Sequence, residues 1–251
     1  MIVNRLDFQI GKSGVGFQIL EFAAFDPEKV ALALQLLKLR RLVHGNGVVA
    51  IDCGANVGVH TIEWAKAMDG WGSGFSIEAQ ERVFYALAGN IAINNCFNAI
   101  AMHAAVSSEV GVMKVPMPNY LTASSFGSLE LRPREGNENI GQPIDYSEDK
   151  MVPIQKMTLG SLQLPRIDFI KIDVECMEIE EREGALQSIK TSCPILLIES
   201  IKAGHDRLRA WLESAGYKVM EAGINFVAIH LSDPTLNHIK INAPPEQSSA
   251  A

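Results

Sequence analysis

The chain has 251 residues, 47% of them hydrophobic and 20% charged, which is enough for one sizeable core. A formal net charge of −7, with no basic run beyond "KLRR", argues against a nucleic-acid or anionic-membrane partner. Cys53, Cys96, Cys176 and Cys193 lack metal-ligand spacing, no apolar run approaches the roughly 20 residues that cross a bilayer, and the first residues carry no leader pattern, so a cytoplasmic protein with reduced thiols and no metal is expected.

Residues 5–23 read as two short strands around the glycines of 11–16, the second being "GFQILEFA". Asp26-Pro27 signals a helix start, and "EKVALALQLLKLRRL" carries apolar residues at helical spacing. Residues 1–45 are therefore expected to form an accessory hairpin and helix, suited to capping the rest of the chain or to joining two copies in a homo-oligomer. From Val48 onward, short apolar strands alternate with longer helical stretches. "VVAIDC" leads to a helix from about Gly58 to Met68, "GFSIEA" leads to "ERVFYALAGNIAIN", and "AIAMHAAVS" follows.

Residues 110–160 break this rhythm. "VGVMKVPMP" and "MVPIQKMTL" read as strands, and the polar, Gly/Pro-marked stretch 118–150 reads as a loop insertion that closes over the site as a mobile lid. Then "IDFIKIDV" leads to "EIEEREGALQSI", and "PILLIES" to "HDRLRAWLESAG". Strands apolar on both faces and alternating with helices indicate a doubly wound α/β fold, its sheet mostly parallel. "YKVME" and "FVAIHL" lie too close together for a parallel crossover, so they should form an antiparallel hairpin at the end of the sheet. Residues 233–251 read as a flexible tail.

Ligands of an open parallel sheet sit beyond the carboxyl ends of its strands, where strand order reverses. Here the first strand turns through Gly54-Ala55-Asn56-Val57-Gly58, which is G-x-x-x-G and not the G-x-G-x-x-G of a nicotinamide site. Asn56 can take the left-handed conformation that glycine otherwise supplies, and its side chain crowds the place of a diphosphate. The turn thus suits a smaller anion, such as an amino-acid carboxylate held by backbone N–H groups. Glu78 ends the second strand, where an acid can accept hydrogen bonds from both hydroxyls of a ribose. Candidate proton acceptors are the strand-end acids Asp173, Glu175 and Glu199, with Asp173 the first choice. His60, His103 and His205 read as structural.

"IDCGANVGVHT", "SIEAQ", "NIAINN" with "AAVS", and above all "DFIKIDVECMEIEE" followed by "ILLIES" resemble, in order, the FkbM family of S-adenosylmethionine-dependent methyltransferases. That family also has Asn after Gly-Ala in the turn, but it has glycine where this chain has Cys176. The resemblance implies a class I methyltransferase fold, Rossmann-like, over residues 46–232, with S-adenosylmethionine as cofactor. Together with the strand-end logic it sets the methionine part against Asp52, Gly54, Ala55, Asn56 and Gly58, the ribose on Glu78, and the adenine near Ala79, Ala105 and Val106. The acceptor is then a hydroxyl on a small molecule, such as a sugar or a natural-product intermediate. Two rivals stay open: a non-catalytic binder of the same fold, which Cys176 keeps alive, and a nicotinamide-dependent oxidoreductase, against which Asn56 speaks.

Overall fold

Val48–Cys53, buried along its whole length, is an inner strand of a computed structural model that describes residues 1–9, 14–133, 136–173, 189, 191–200 and 204–239. In chain order the helices are α1 (Val15–Phe22), α2 (Pro27–His44), α3 (Val59–Ala67), α4 (Glu81–Ile93) and α5 (His205–Ser214). The strands are β1 (Val48–Cys53), β2 (Gly72–Glu78), β3 (Ala99–His103), β4 (Ala105–Val106), β5 (Gly111–Val115), β6 (Val152–Met157), β7 (Phe169–Ile172), β8 (Ile195–Glu199), β9 (Tyr217–Ala222) and β10 (Asn225–His230).

Among the described residues, seven strands form one sheet in the order β3-β2-β1-β7-β8-β10-β9. The first five run parallel, and β10 is antiparallel to both neighbours, as the short β9–β10 connection requires. Side chains alternate across each strand. Ile51 and Cys53 face the layer holding Leu208 and Leu212 of α5, while Val48 and Ala50 face Leu36 and Leu37 of α2 and Trp64 of α3. Both faces are therefore covered, which is why these strands carry almost no polar side chains. The chain leaves β1 towards β2 and β3 and returns to β7 on the other side, so the crevice opens beyond Cys53 and Ile172. Strands β4, β5 and β6 form a second, three-stranded sheet.

Three expectations need correction. "GFQILEFA" is helical: Val15 and Ile19, four apart, pack together with Val57 and Val83. The glycines that suggested a hairpin are there because residues 4–8 pass against the start of this helix. A Cβ on Gly14 would lie 2.5 Å from the Asp7 carbonyl oxygen. Asp7 accepts the Gly16 N–H at 2.8 Å, and the expected first strand is reduced, among the described residues, to a bridge between Asp7 and Ser124.

Secondly, the start of the tail is not loose. Pro234–His238 form a turn of 3-10 helix, Thr235 is buried, and Asp233 pairs with Arg40 of α2. Arg40 also holds Asp168, which accepts the Val49 N–H at 2.9 Å and so ties the tail and α2 to β1. The remainder of the tail lies outside the described residues, as does the helix expected after β7.

Thirdly, the 118–150 stretch is anchored. Phe126, Leu129 and Ile140 are buried, the Phe126 N–H donates to Asp7 at 3.0 Å, and Gln80 donates to the Phe126 carbonyl at 2.8 Å.

Candidate active site

Asp52 and Lys171 are partners in register on β1 and β7, so the two side chains meet above the sheet. Lys171 is 2% exposed and places its ammonium against Asp52 (3.0 Å), the Gly54 carbonyl (3.3 Å) and Asp173 (3.4 Å). An ammonium has three donors, and these contacts use them all. Thr61 donates to the other Asp52 oxygen at 2.8 Å and pairs with Ser76 at 2.7 Å. Burial pulls the Lys171 ammonium towards neutrality, but Asp52 and Asp173 outweigh it and raise its pKa above the ordinary lysine range. Asp52 is thus a buried structural partner and lines neither cavity described below, contrary to its expected place against a cofactor.

Asp173 receives a second cation, Lys29 of α2, at 2.9 Å. Burial would raise its carboxyl, yet Lys171, Lys29 and a hydrogen bond from Glu199 hold it far below the usual carboxylate range. A carboxylate held this way is a weak proton acceptor and a fixed negative charge. That charge environment argues against the proton-accepting role expected from its strand-end position.

The glycine turn also differs from expectation. Asn56 is left-handed, with φ of 50°. The N–H groups of Gly54 and Ala55 donate to the Ile77 carbonyl, that of Asn56 to Glu78, that of Val57 to the Asn56 side chain, and that of Gly58 to Ala55. No N–H in the turn is left to hold a carboxylate. Gly58 serves packing: its φ is +90°, and a Cβ there would lie 2.6 Å from Leu87 Cδ1.

Two cavities meet at Gly54, Asn56, Gly127 and Asp173. The smaller, about 80 Å³, is a slot with Ala79, Ala105, Val106, Met113, Leu129 and Leu131 as its apolar walls and Gln80 and Arg132 among its polar ones. Glu78 stands on its rim, one oxygen accepting the Asn56 N–H at 2.9 Å and the other the Gln80 N–H at 2.8 Å. Burial raises the Glu78 carboxyl, and those two N–H groups partly offset the rise. The larger, about 420 Å³, brings together Ala55, Lys29, Lys171, Glu199 and His60 with the neutral side chains of Gln9, Gln18, Ser125 and Ser128.

Of the expected site residues, then, Gly54, Asn56, Glu78, Ala79, Ala105, Val106 and Asp173 line the slot, and Ala55 and Glu199 line the larger cavity. Glu175, like Cys176, lies outside the described residues. Among the described residues no cluster of three His, Cys, Asp or Glu side chains is arranged to hold a metal ion, and no helix is long and apolar enough to cross a membrane.

Burial, with the Lys171 charge adding to it, lowers the His60 imidazole to about 3. Once unfolded, the chain binds this proton below about pH 6.5, so stability should fall with pH between the two values, by up to about 1.4 kcal/mol per unit. The stability gap between the wild type and His60→Phe, read by urea unfolding, is expected to shift steadily in the variant's favour from about pH 7 to about pH 5. A gap that stays constant would mean that His60 titrates normally.

The sequence profile of the methyltransferase FkbM domain matches residues 52–219, more than half of the chain. The protein therefore belongs to the FkbM family of methyltransferases. Its fold is similar to that of methyltransferase FkbM from Methylobacillus flagellatus KT, with 14% identity and a TM-score of 0.51 over 73% of this chain and 44% of that one. It is also similar to a candidate caffeoyl-CoA O-methyltransferase from Staphylococcus aureus, with 11% identity and a TM-score of 0.51 over 88% and 94% of the two chains. At such identities the likeness is one of fold, a class I methyltransferase sheet. The chain spans less than half the length of the Methylobacillus protein. No curated protein sequence matches it.

Proposed function

We propose that the protein transfers the methyl group of S-adenosylmethionine to a hydroxyl of a small, neutral, hydroxyl-rich molecule, such as a sugar or a natural-product intermediate. The observation that carries this reading is Glu78, a buried carboxylate pinned by two backbone N–H groups on the rim of a slot with apolar walls. A carboxylate has about four lone-pair sites, so two remain for the hydroxyls of a ribose, and the slot suits an adenine ring. With the amides of the turn all engaged, the methionine carboxylate falls to Lys29, which gives only one of its three donors to Asp173.

When bound, S-adenosylmethionine would supply an activated methyl: a carbon–oxygen bond forms as the carbon–sulfur bond breaks, S-adenosylhomocysteine remains, and the hydroxyl proton passes to solvent water. Asp173, at the junction of the two cavities, orients the acceptor as a fixed negative charge, and Lys171 and Lys29 hold it in place. Such orientation can be worth about 7–11 kcal/mol of the barrier. The amide and hydroxyl lining of the larger cavity supports a neutral polyol over an anionic acceptor, because Asp26, Glu138, Asp173 and Glu199 outnumber Lys29 and Lys171 among its charged residues.

Glu78→Ala is expected to weaken S-adenosylhomocysteine binding by about 1–3 kcal/mol in calorimetry, since hydrogen bonds to a charged group are lost. An unchanged affinity would move the ribose site elsewhere. Product formation from labelled cofactor separates an enzyme from a non-catalytic binder.

A further inference from the structure

We propose that His60 binds the reacting hydroxyl of the acceptor. This rests on the reading of the larger cavity as the acceptor site. His60 is the second residue of α3 and lines that cavity with Lys29, Asp173 and Glu199. Its side chain is buried, and among the described residues neither Nδ1 nor Nε2 has a hydrogen-bond partner.

The other two histidines weighed from the sequence do have partners. His103 reaches the Ala79 carbonyl at 3.2 Å and stacks on Phe84, while His205 pairs with Asp206 and Glu221. Trp64, Tyr217, Asn225 and Thr235 also hold unpartnered atoms, but none of them lines either of the cavities that meet at Asp173.

An unpaired buried polar group costs stability, and beside Trp64 an apolar ring would serve the core better. Burial disfavours a cationic ring, and Lys171 and Lys29 nearby add to this against the opposing charges of Asp52 and Asp173. A neutral imidazole offers one donor and one acceptor, and a hydroxyl complements both at once, whereas an ammonium can only donate. The last torsion of histidine is broad, so a modest ring rotation presents either nitrogen to the cavity.

Two variants, His60→Phe and His60→Gln, test this whichever hydroxylated acceptor the cavity takes. In His60→Phe the melting temperature is expected to rise by about 2–4 °C, because the orphaned nitrogens are gone. S-adenosylhomocysteine affinity by calorimetry should change far less than transfer does, because His60 is absent from the slot, where the adenosine part is held with Glu78, and shares only the larger cavity with Lys29. With a panel of monosaccharides and their methyl glycosides, kcat/KM for any sugar that is methylated should drop by about 10²-fold in His60→Phe, with partial recovery in His60→Gln, which keeps a donor and an acceptor. A melting temperature that falls in His60→Phe, or transfer that survives it, would overturn the proposal. If S-adenosylhomocysteine binds and no sugar is methylated, the choice of acceptor class is at fault, and the melting shift still decides the role of His60.

Discussion

Replacing Lys171 with methionine is expected to cost about 3–5 kcal/mol of stability and to weaken cofactor binding together with it. The ammonium joins the end of β1, the glycine turn and the end of β7 through Asp52, Gly54 and Asp173. Without it Asp52, 1% exposed, keeps only the Thr61 hydroxyl and is left as an uncompensated buried charge. The urea midpoint reads the loss. Combining Lys171→Met with Asp52→Asn should recover a large part of the stability but not the binding, because the turn stays untied from Asp173. A single variant within about 1 kcal/mol of wild type would show that the pair contributes little.

The second large effect lies at the opposite end of the sheet. Arg40→Met is expected to cost about 3 kcal/mol, because Arg40 is the main cation for buried Asp233 and a second one for Asp168. Asp168 keeps Arg166 at 2.7 Å and the Val49 N–H, which moderates the loss there. Among the described residues Asp233 keeps only His44 as a basic neighbour, so the 233–239 segment should open first. Hydrogen exchange should quicken there before it quickens in β1. Uniform exchange across both would contradict a local role for Arg40.

The sheet was legible because its strands are short apolar runs buried on both faces, and because the two residues between β9 and β10, Gly223 and Ile224, cannot carry a parallel crossover. Helix α1 was misread because Gly14 and Gly16 answer to a tertiary contact with Asp7, which leaves a local pattern like that of a turn. That Glu78, Ala79, Ala105 and Val106 line the crevice was legible because strand ends define the crevice of any such sheet.

The partners of Asp52 and of the turn's amides were not legible, for one shared reason. These partners are Lys171, Thr61, Ile77 and Glu78, and which neighbour satisfies a polar group is settled only by packing. Lys171 did leave a signal, a lysine inside an otherwise apolar strand, where a charge needs a partner. Lys29 left none, since a lysine in the first turns of an amphipathic helix reads as solvated. The Gly127–Leu131 wall of the slot comes from the 118–150 stretch, whose polar composition hid how firmly Phe126, Leu129 and Ile140 are packed.

The most direct measurement is incubation of the full chain with methyl-labelled S-adenosylmethionine and a panel of neutral hydroxylated small molecules, followed by mass spectrometry of the acceptor. The account predicts a methyl group on an acceptor oxygen, with an equal amount of S-adenosylhomocysteine formed. Label appearing on nitrogen, or no label on any acceptor from a protein that fails to bind S-adenosylhomocysteine, would contradict it.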